Sequence, residues 1–112
     1  IPEYLDTVIF HCQQAVEKYF KAYLIFQSTA FRFSHDLIYL LDLINRKDSD
    51  FCNLYDTVSE LQGYAVEVRY PNEIIYLSAE KIEKSILIAQ KVRELITTKM
   101  NLSVDYNVII DK

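Results

Sequence analysis

Glycine is almost missing from this chain: Gly63 is the only one in 112 residues, and Pro2 and Pro71 are the only prolines. A glycine-rich loop whose backbone amides cradle a phosphate is therefore excluded, and so is a fold built on many tight turns. Tryptophan is absent and there are two cysteines, Cys12 and Cys52, both expected as small core residues rather than a disulfide. The only histidines are His11 and His35. His11 and Cys12 are adjacent and point about 100° apart on a helix, so they do not share a metal. No metal site, no cofactor and no Ser–His–Asp arrangement is expected. There is no apolar run near the length of a membrane span and no secretion signal, and the reduced cysteines fit a cytoplasmic setting. Positive charge is also in deficit. Twelve Lys and Arg stand against sixteen Asp and Glu, a net charge of −4, so any contact with nucleic acid needs a local basic patch built against the overall field. The chain starts at Ile1 rather than Met, which fits a trimmed or processed piece of a longer protein.

What is present is hydrophobic side chain, 51% of residues, in helical periodicity. That combination predicts one all-α domain, an antiparallel four-helix up-and-down bundle. The first helix is expected from about Pro2 to Gln27, with Pro2 in the first turn. Leu5, Val8, Ile9, Cys12, Ala15, Val16, Tyr19, Phe20 and Tyr23 fall within an arc of roughly 140° on it. Gln14, Glu17, Lys18 and Lys21 lie outside, with Glu17 and Lys21 spaced as an i,i+4 ion pair. Residues 28–33 read as a connection. Ser34 is expected to cap a short, buried second helix, with Asp36 in its first turn.

The third helix is expected over about 50–69, capped by Asp48 or Ser49, with Phe51, Leu54, Tyr55, Val58, Leu61, Ala65 and Val68 on one face. Pro71 stops it. The fourth is expected over about 79–99 with a stripe of Ala79, Ile82, Ile86, Ala89, Val92 and Ile96. Phe10, Leu24, Ile25, Leu87, Ile88 and Leu95 fall off the main stripes and suggest a further partner. Residues 1–100 would form the bundle and 101–112 a C-terminal tail or arm.

Three features could carry chemistry. His35–Asp36 reads either as an ordinary first turn or as a polar contact at a bundle end. Arg69–Tyr70–Pro71 reads either as a helix stop with a cation at the C-terminus or as an anion site. In the second reading the guanidinium grips phosphate and the aromatic ring stacks. Lys18/Lys21 and Lys81/Lys84/Lys91 read as solvated faces.

Taken in order, Gln13-Gln14-Ala15-Val16-Glu17-Lys18-Tyr19-Phe20-Lys21-Ala22, Ser34-His35-Asp36-Leu37 and Arg69-Tyr70-Pro71 resemble the HEPN (higher eukaryote and prokaryote nucleotide-binding) domain family, in its RYP-containing prokaryotic type. The resemblance covers about residues 4–96. It implies an all-α bundle, a homodimer, and a small nucleotidyltransferase as partner in a two-component module resembling toxin and antitoxin. It also implies nucleotide or RNA binding, with Arg69 in the place of the family's arginine as anion anchor; Tyr70 is expected as a stacking or hydrogen-bonding neighbour, and His35 and Lys18 as supporting polar groups.

The chain departs from the family pattern twice. The sequence has no Trp and no room ahead of QQAVEK for the tryptophan/alanine/leucine-rich helix with which such domains usually begin, so either that helix lies outside this sequence or a partner fills its groove. HEPN ribonucleases also resemble one another in an Arg followed, after four to six residues, by a His. Here the positions after Arg69 are Ile74, Ile75 and Tyr76, and Arg32, Arg46 and Arg93 also lack a His at that spacing. The leading expectation is a non-catalytic HEPN protein. The alternatives are a divergent ribonuclease toxin and a pure protein-interaction module.

Overall fold

The computed structural model describes the backbone of residues 2–67 and 79–101 and the side chains of residues 7–64 and 80–101. Four α-helices, α1 (Pro2–Phe26), α2 (Leu37–Lys47), α3 (Tyr55–Glu67) and α4 (Ala79–Met100), make up the described fold, with a 3₁₀ segment at Ser49–Leu54 leading into α3. No strand occurs among the described residues. Arg69, Tyr70, Pro71 and the 102–112 stretch lie outside them.

α1 is the axis of the bundle: it packs on α2, α3 and, most extensively, α4. Cys12, Val16, Phe20, Tyr23 and Leu24 of α1 meet Leu37, Leu40, Leu41 and Ile44 of α2 in one continuous core. Phe51, Leu54, Val58 and Leu61 close it from the 3₁₀–α3 side, and Ile88, Val92 and Ile96 from α4. Most helical stability in a folded chain comes from packing an apolar face rather than from propensity, and this mutual burial supplies it here.

The termini are fixed by short polar side chains in place of glycine. At the end of α1, Ser28 takes a left-handed φ of 58°. The Ser28 amide bonds Ile25 O at 3.0 Å and the Thr29 amide bonds Leu24 O at 2.9 Å, the paired bonds of a Schellman cap. Asn101 takes the same φ after α4. α2 is capped by Asp36, whose Oδ1 accepts from the amides of Ile38 at 3.0 Å and Tyr39 at 3.3 Å. The expectation that Ser34 caps α2 is therefore corrected. The Asp36 carboxyl suits the positive end of the helix better than a hydroxyl, and Ser34 Oγ instead accepts from the Asp36 amide at 3.0 Å. Gln62 of α3 accepts from the Leu37 amide at 2.8 Å, satisfying a further orphan donor.

The contacts fix the direction of each helix. Leu37 meets Gln62 and Asp42 meets Tyr55, so α3 runs against α2. Lys84 meets Glu60 and Lys99 meets Asp50, so α4 runs back along the 3₁₀–α3 unit. Strict up-and-down order fails between α1 and α2. His35 lies at the level of Glu17, whereas Ile44 and Asp48 lie at Gln27 and Tyr23. The 28–36 connection thus runs back along α1 before α2 begins, a span well within its extended reach.

Four packing expectations are also corrected. Leu24 is fully buried, because it joins the core cluster with Leu37, Leu40, Leu41 and Ile44 of α2. In α4 the buried line is Ser85, Ile88, Val92 and Ile96, while Ile86 is exposed. Ser85 is tolerated there because its hydroxyl donates to Lys81 O at 2.9 Å within the helix. Leu95 packs partly against the core rather than facing a partner. Cys12 is buried as expected, but Cys52 is exposed on the 3₁₀ segment.

Candidate functional site

The QQAVEKYFKA segment lies in α1, and the SHDL segment lies where the 28–36 connection enters α2. They meet through Glu17. Lys21 Nζ lies 3.0 Å from Glu17 Oε2, the expected i,i+4 pair. His35 Nδ1 lies 3.0 Å from Oε1 and 3.1 Å from Oε2 of the same carboxyl group. The Phe33 ring meets His35 edge-on with centroids 4.9 Å apart, and the Lys21 ammonium stands over that ring at 5.3 Å from its centroid. Each residue of Ser34–Leu37 is thus occupied locally, Ser34 in a turn bond, His35 in a bridge to α1, Asp36 as a cap and Leu37 in the core.

His35 is therefore a polar contact between α1 and the start of α2. Lys18 is exposed on α1, one residue and about 100° around the helix from Glu17. It lines a shallow hollow of about 230 Å³ with His11, Gln14, Ala15 and Tyr19. His35 does not line that hollow. Arg69 and Tyr70 lie outside the described residues, so the four expected site residues are not assembled by the described structure.

Two further groups stand out. A groove of about 250 Å³ between α3 and α4 is lined by Thr57, Glu60, Lys84, Leu87, Ile88 and Lys91. Lys84 is engaged there with Glu60 at 3.5 Å and Glu80 at 3.6 Å. At the bundle end, Asp48 accepts from the Tyr23 hydroxyl at 2.9 Å and pairs with Lys99 at 3.0 Å. Lys99 also reaches Asp50 at 2.5 Å. Burial and the Asp48 bond push the Tyr23 hydroxyl up to about 12. Burial opposes ionisation of Asp48, but bonds from Lys99, Tyr23 and the Asp50 amide outweigh it and hold the carboxyl below its usual range. This cluster ties three chain segments together and has the character of a structural clamp.

No group of three or more His, Cys, Asp or Glu side chains able to hold a metal occurs among the described residues. No described helix is long and apolar enough to cross a membrane.

Reading the sequence missed Arg32 and Phe33, assigned only to a connection. Their signal was the alternation Phe31-Arg32-Phe33, aromatic and basic side by side in a loop. Phe31 turns partly into the core, and Phe33 beyond it is 81% exposed.

An all-α bundle whose first long helix carries QQAVEK and whose second begins at a capped SHDL is the class that these elements define. A model of the HEPN domain matches residues 2–100. The chain belongs to the HEPN domain family, helical domains related to nucleotides and RNA, which commonly dimerise. No curated protein and no solved structure matches it.

Proposed function

We propose that this chain is a non-catalytic HEPN domain of the RYP-containing prokaryotic type, a cytoplasmic helical homodimer that binds a nucleotide or RNA together with a partner nucleotidyltransferase. The observation that carries the reading is the position of the imidazoles. No arginine has a histidine four to six residues beyond it, and His35 is held by Glu17 at 3.0 Å, on a side chain that links two elements of the fold. Cleavage of RNA through the family's Arg–His pair needs an imidazole at that spacing, free to exchange protons with the reacting oxygens. Arg69 keeps the family's arginine position and serves as anion anchor, with Tyr70 stacking beside it. Exposed Phe10, Ile25 and Leu87 support the dimer or partner surface. Residues 101–112 are assigned to a C-terminal tail or arm.

The test is binding of nucleotides and short RNA by wild type and Arg69→Ala, with helicity checked by circular dichroism. Weaker binding by the variant is expected. Equal binding by both proteins, or none by either, removes the anchor role.

One observation favours a second reading, the divergent ribonuclease of a toxin–antitoxin pair. His11 is exposed beside Gln14 and Lys18 on α1, an imidazole outside the family spacing. RNA cleavage in chelator that is abolished by both His11→Ala and Arg69→Ala would establish that reading in place of the first.

A further inference from the structure

Phe33 is the most exposed large hydrophobic residue described, at 81%. Leaving an aromatic ring in water forgoes the burial that the other core-sized side chains obtain. It does not sit on a loose tip. The connection that carries it is pinned at both ends and in the middle. Lys47 Nζ bonds Gln27 O at 3.2 Å, the Thr29 amide bonds Leu24 O at 2.9 Å, the Arg32 amide donates to the Tyr39 hydroxyl at 3.1 Å, and the Asp36 amide bonds Ser34 Oγ at 3.0 Å. The ring is thus held out by an anchored backbone.

Its surroundings are cationic and aromatic. Lys21 stands over the ring at 5.3 Å and His35 packs T-shaped against it with centroids 4.9 Å apart, yet the residue remains 81% exposed, so much of the ring is open to a further stacking partner. The neighbouring Arg32 guanidinium lies 4.1 Å above the Tyr39 ring. No carboxylate pairs with it among the described contacts, so the edge of its N–H fork is available to an anion. This basic group stands on a chain of net charge −4, against the overall field.

We infer that Arg32 and Phe33 form a base-stacking subsite for single-stranded nucleic acid: an unpaired nucleobase stacks on the exposed ring of Phe33, and the adjoining phosphate bonds Arg32. The inference rests on the nucleotide- and RNA-binding reading of the domain and adds a surface apart from Arg69. An exposed aromatic ring beside a fixed guanidinium is the pairing that single-strand binding requires, and stacking of this kind is tolerant of sequence. The ammonium and imidazole beside the ring favour an anionic partner that carries a π-face over an apolar protein surface.

The chain has no tryptophan, so Phe33→Trp installs a single indole at the subsite, and an exposed position tolerates it. Titrating that variant with a short oligoadenylate should quench the indole emission, and an abasic phosphodiester of the same length should not. In fluorescence anisotropy with labelled oligoadenylate, Phe33→Ala should bind roughly ten-fold or more weakly than wild type, and Phe33→Trp should retain affinity. Arg32→Ala should weaken binding and flatten its salt dependence. Equal binding by Phe33→Ala and wild type, or equal quenching by the abasic chain, overturns the subsite; if Arg69→Ala still weakens binding, the broader reading survives. Weakening by Phe33→Ala with none by Arg69→Ala supports the subsite and removes the Arg69 anchor. No binding by wild type overturns both, and a Phe33-dependent interaction seen only with protein assigns the ring to a protein contact instead.

Discussion

Glu17 receives bonds from two directions, Lys21 one turn along its own helix and His35 from the entry to α2. Its side chain is only 14% exposed, so both contacts form in partial shelter from water. Glu17→Ala leaves an imidazole and an ammonium without their partner and is expected to cost about 1–2 kcal/mol, measured by denaturant unfolding. The Asp48 clamp gives a second expectation at this scale, in pH. Asp48 has a lowered pKa in the fold, so its contribution is present above the ordinary value of 3.8 and is lost as pH falls through the folded value. Tyr23 is raised from 10.0 to about 12, so its contribution is full below pH 10 and is lost as pH rises toward 12. Tyr55, raised to about 12 by burial and its bond to Asp42, adds to the same alkaline limb. Unfolding free energy followed against pH should therefore fall at both extremes. Tyr23→Phe should cost about 1 kcal/mol at neutral pH and shrink the alkaline loss.

At the scale of elements, the ends of the helices decide the path of the chain. Asp36→Ala should destabilise by about 1 kcal/mol and Ser34→Ala by less, because Asp36 satisfies the α2 amides directly. The one glycine stands inside α3, where a Cβ would meet nothing within 4 Å. The left-handed positions after α1 and α4 carry Ser28 and Asn101 instead. Gly63→Ala and Ser28→Gly should each stabilise by about 0.5–1 kcal/mol in denaturant unfolding, the first by helix propensity and the second by removing a Cβ from a left-handed turn.

These elements also show what a sequence can disclose. The α1 arc and the Phe51–Leu61 face were legible because strong apolar periodicity fixes a buried side. The α4 stripe was misread because its apolar residues occupy two faces, and packing on α1 and α3 chose the one through Ser85 and Ile88. The returning path of the 28–36 connection left no periodic signal, since it is set by bonds between residues distant in sequence, such as Glu17 with His35. The local role of Asp36 was half visible, because Ser34 and Asp36 are both good caps and only the backbone path decides between them. Arg32 and Phe33 were passed over because a loop residue's exposure depends on how the loop is anchored.

For the molecule as a whole, α1 joins these levels. Its apolar arc centres the core, its Glu17 fixes the entry to α2, and its Lys21 stands over the exposed Phe33. The family segments QQAVEK and SHDL therefore serve architecture first, and they bring basic and aromatic groups to one edge of an acidic chain. The proposed association with RNA at that edge is electrostatically local and should weaken with added salt. The central claim, binding without cleavage, is tested most directly by incubating the purified protein with end-labelled single-stranded RNA in chelator and following binding and chain length together. The account predicts bound, full-length RNA, with binding weakened by Arg69→Ala. RNA shortened by wild type and left intact by Arg69→Ala would contradict it.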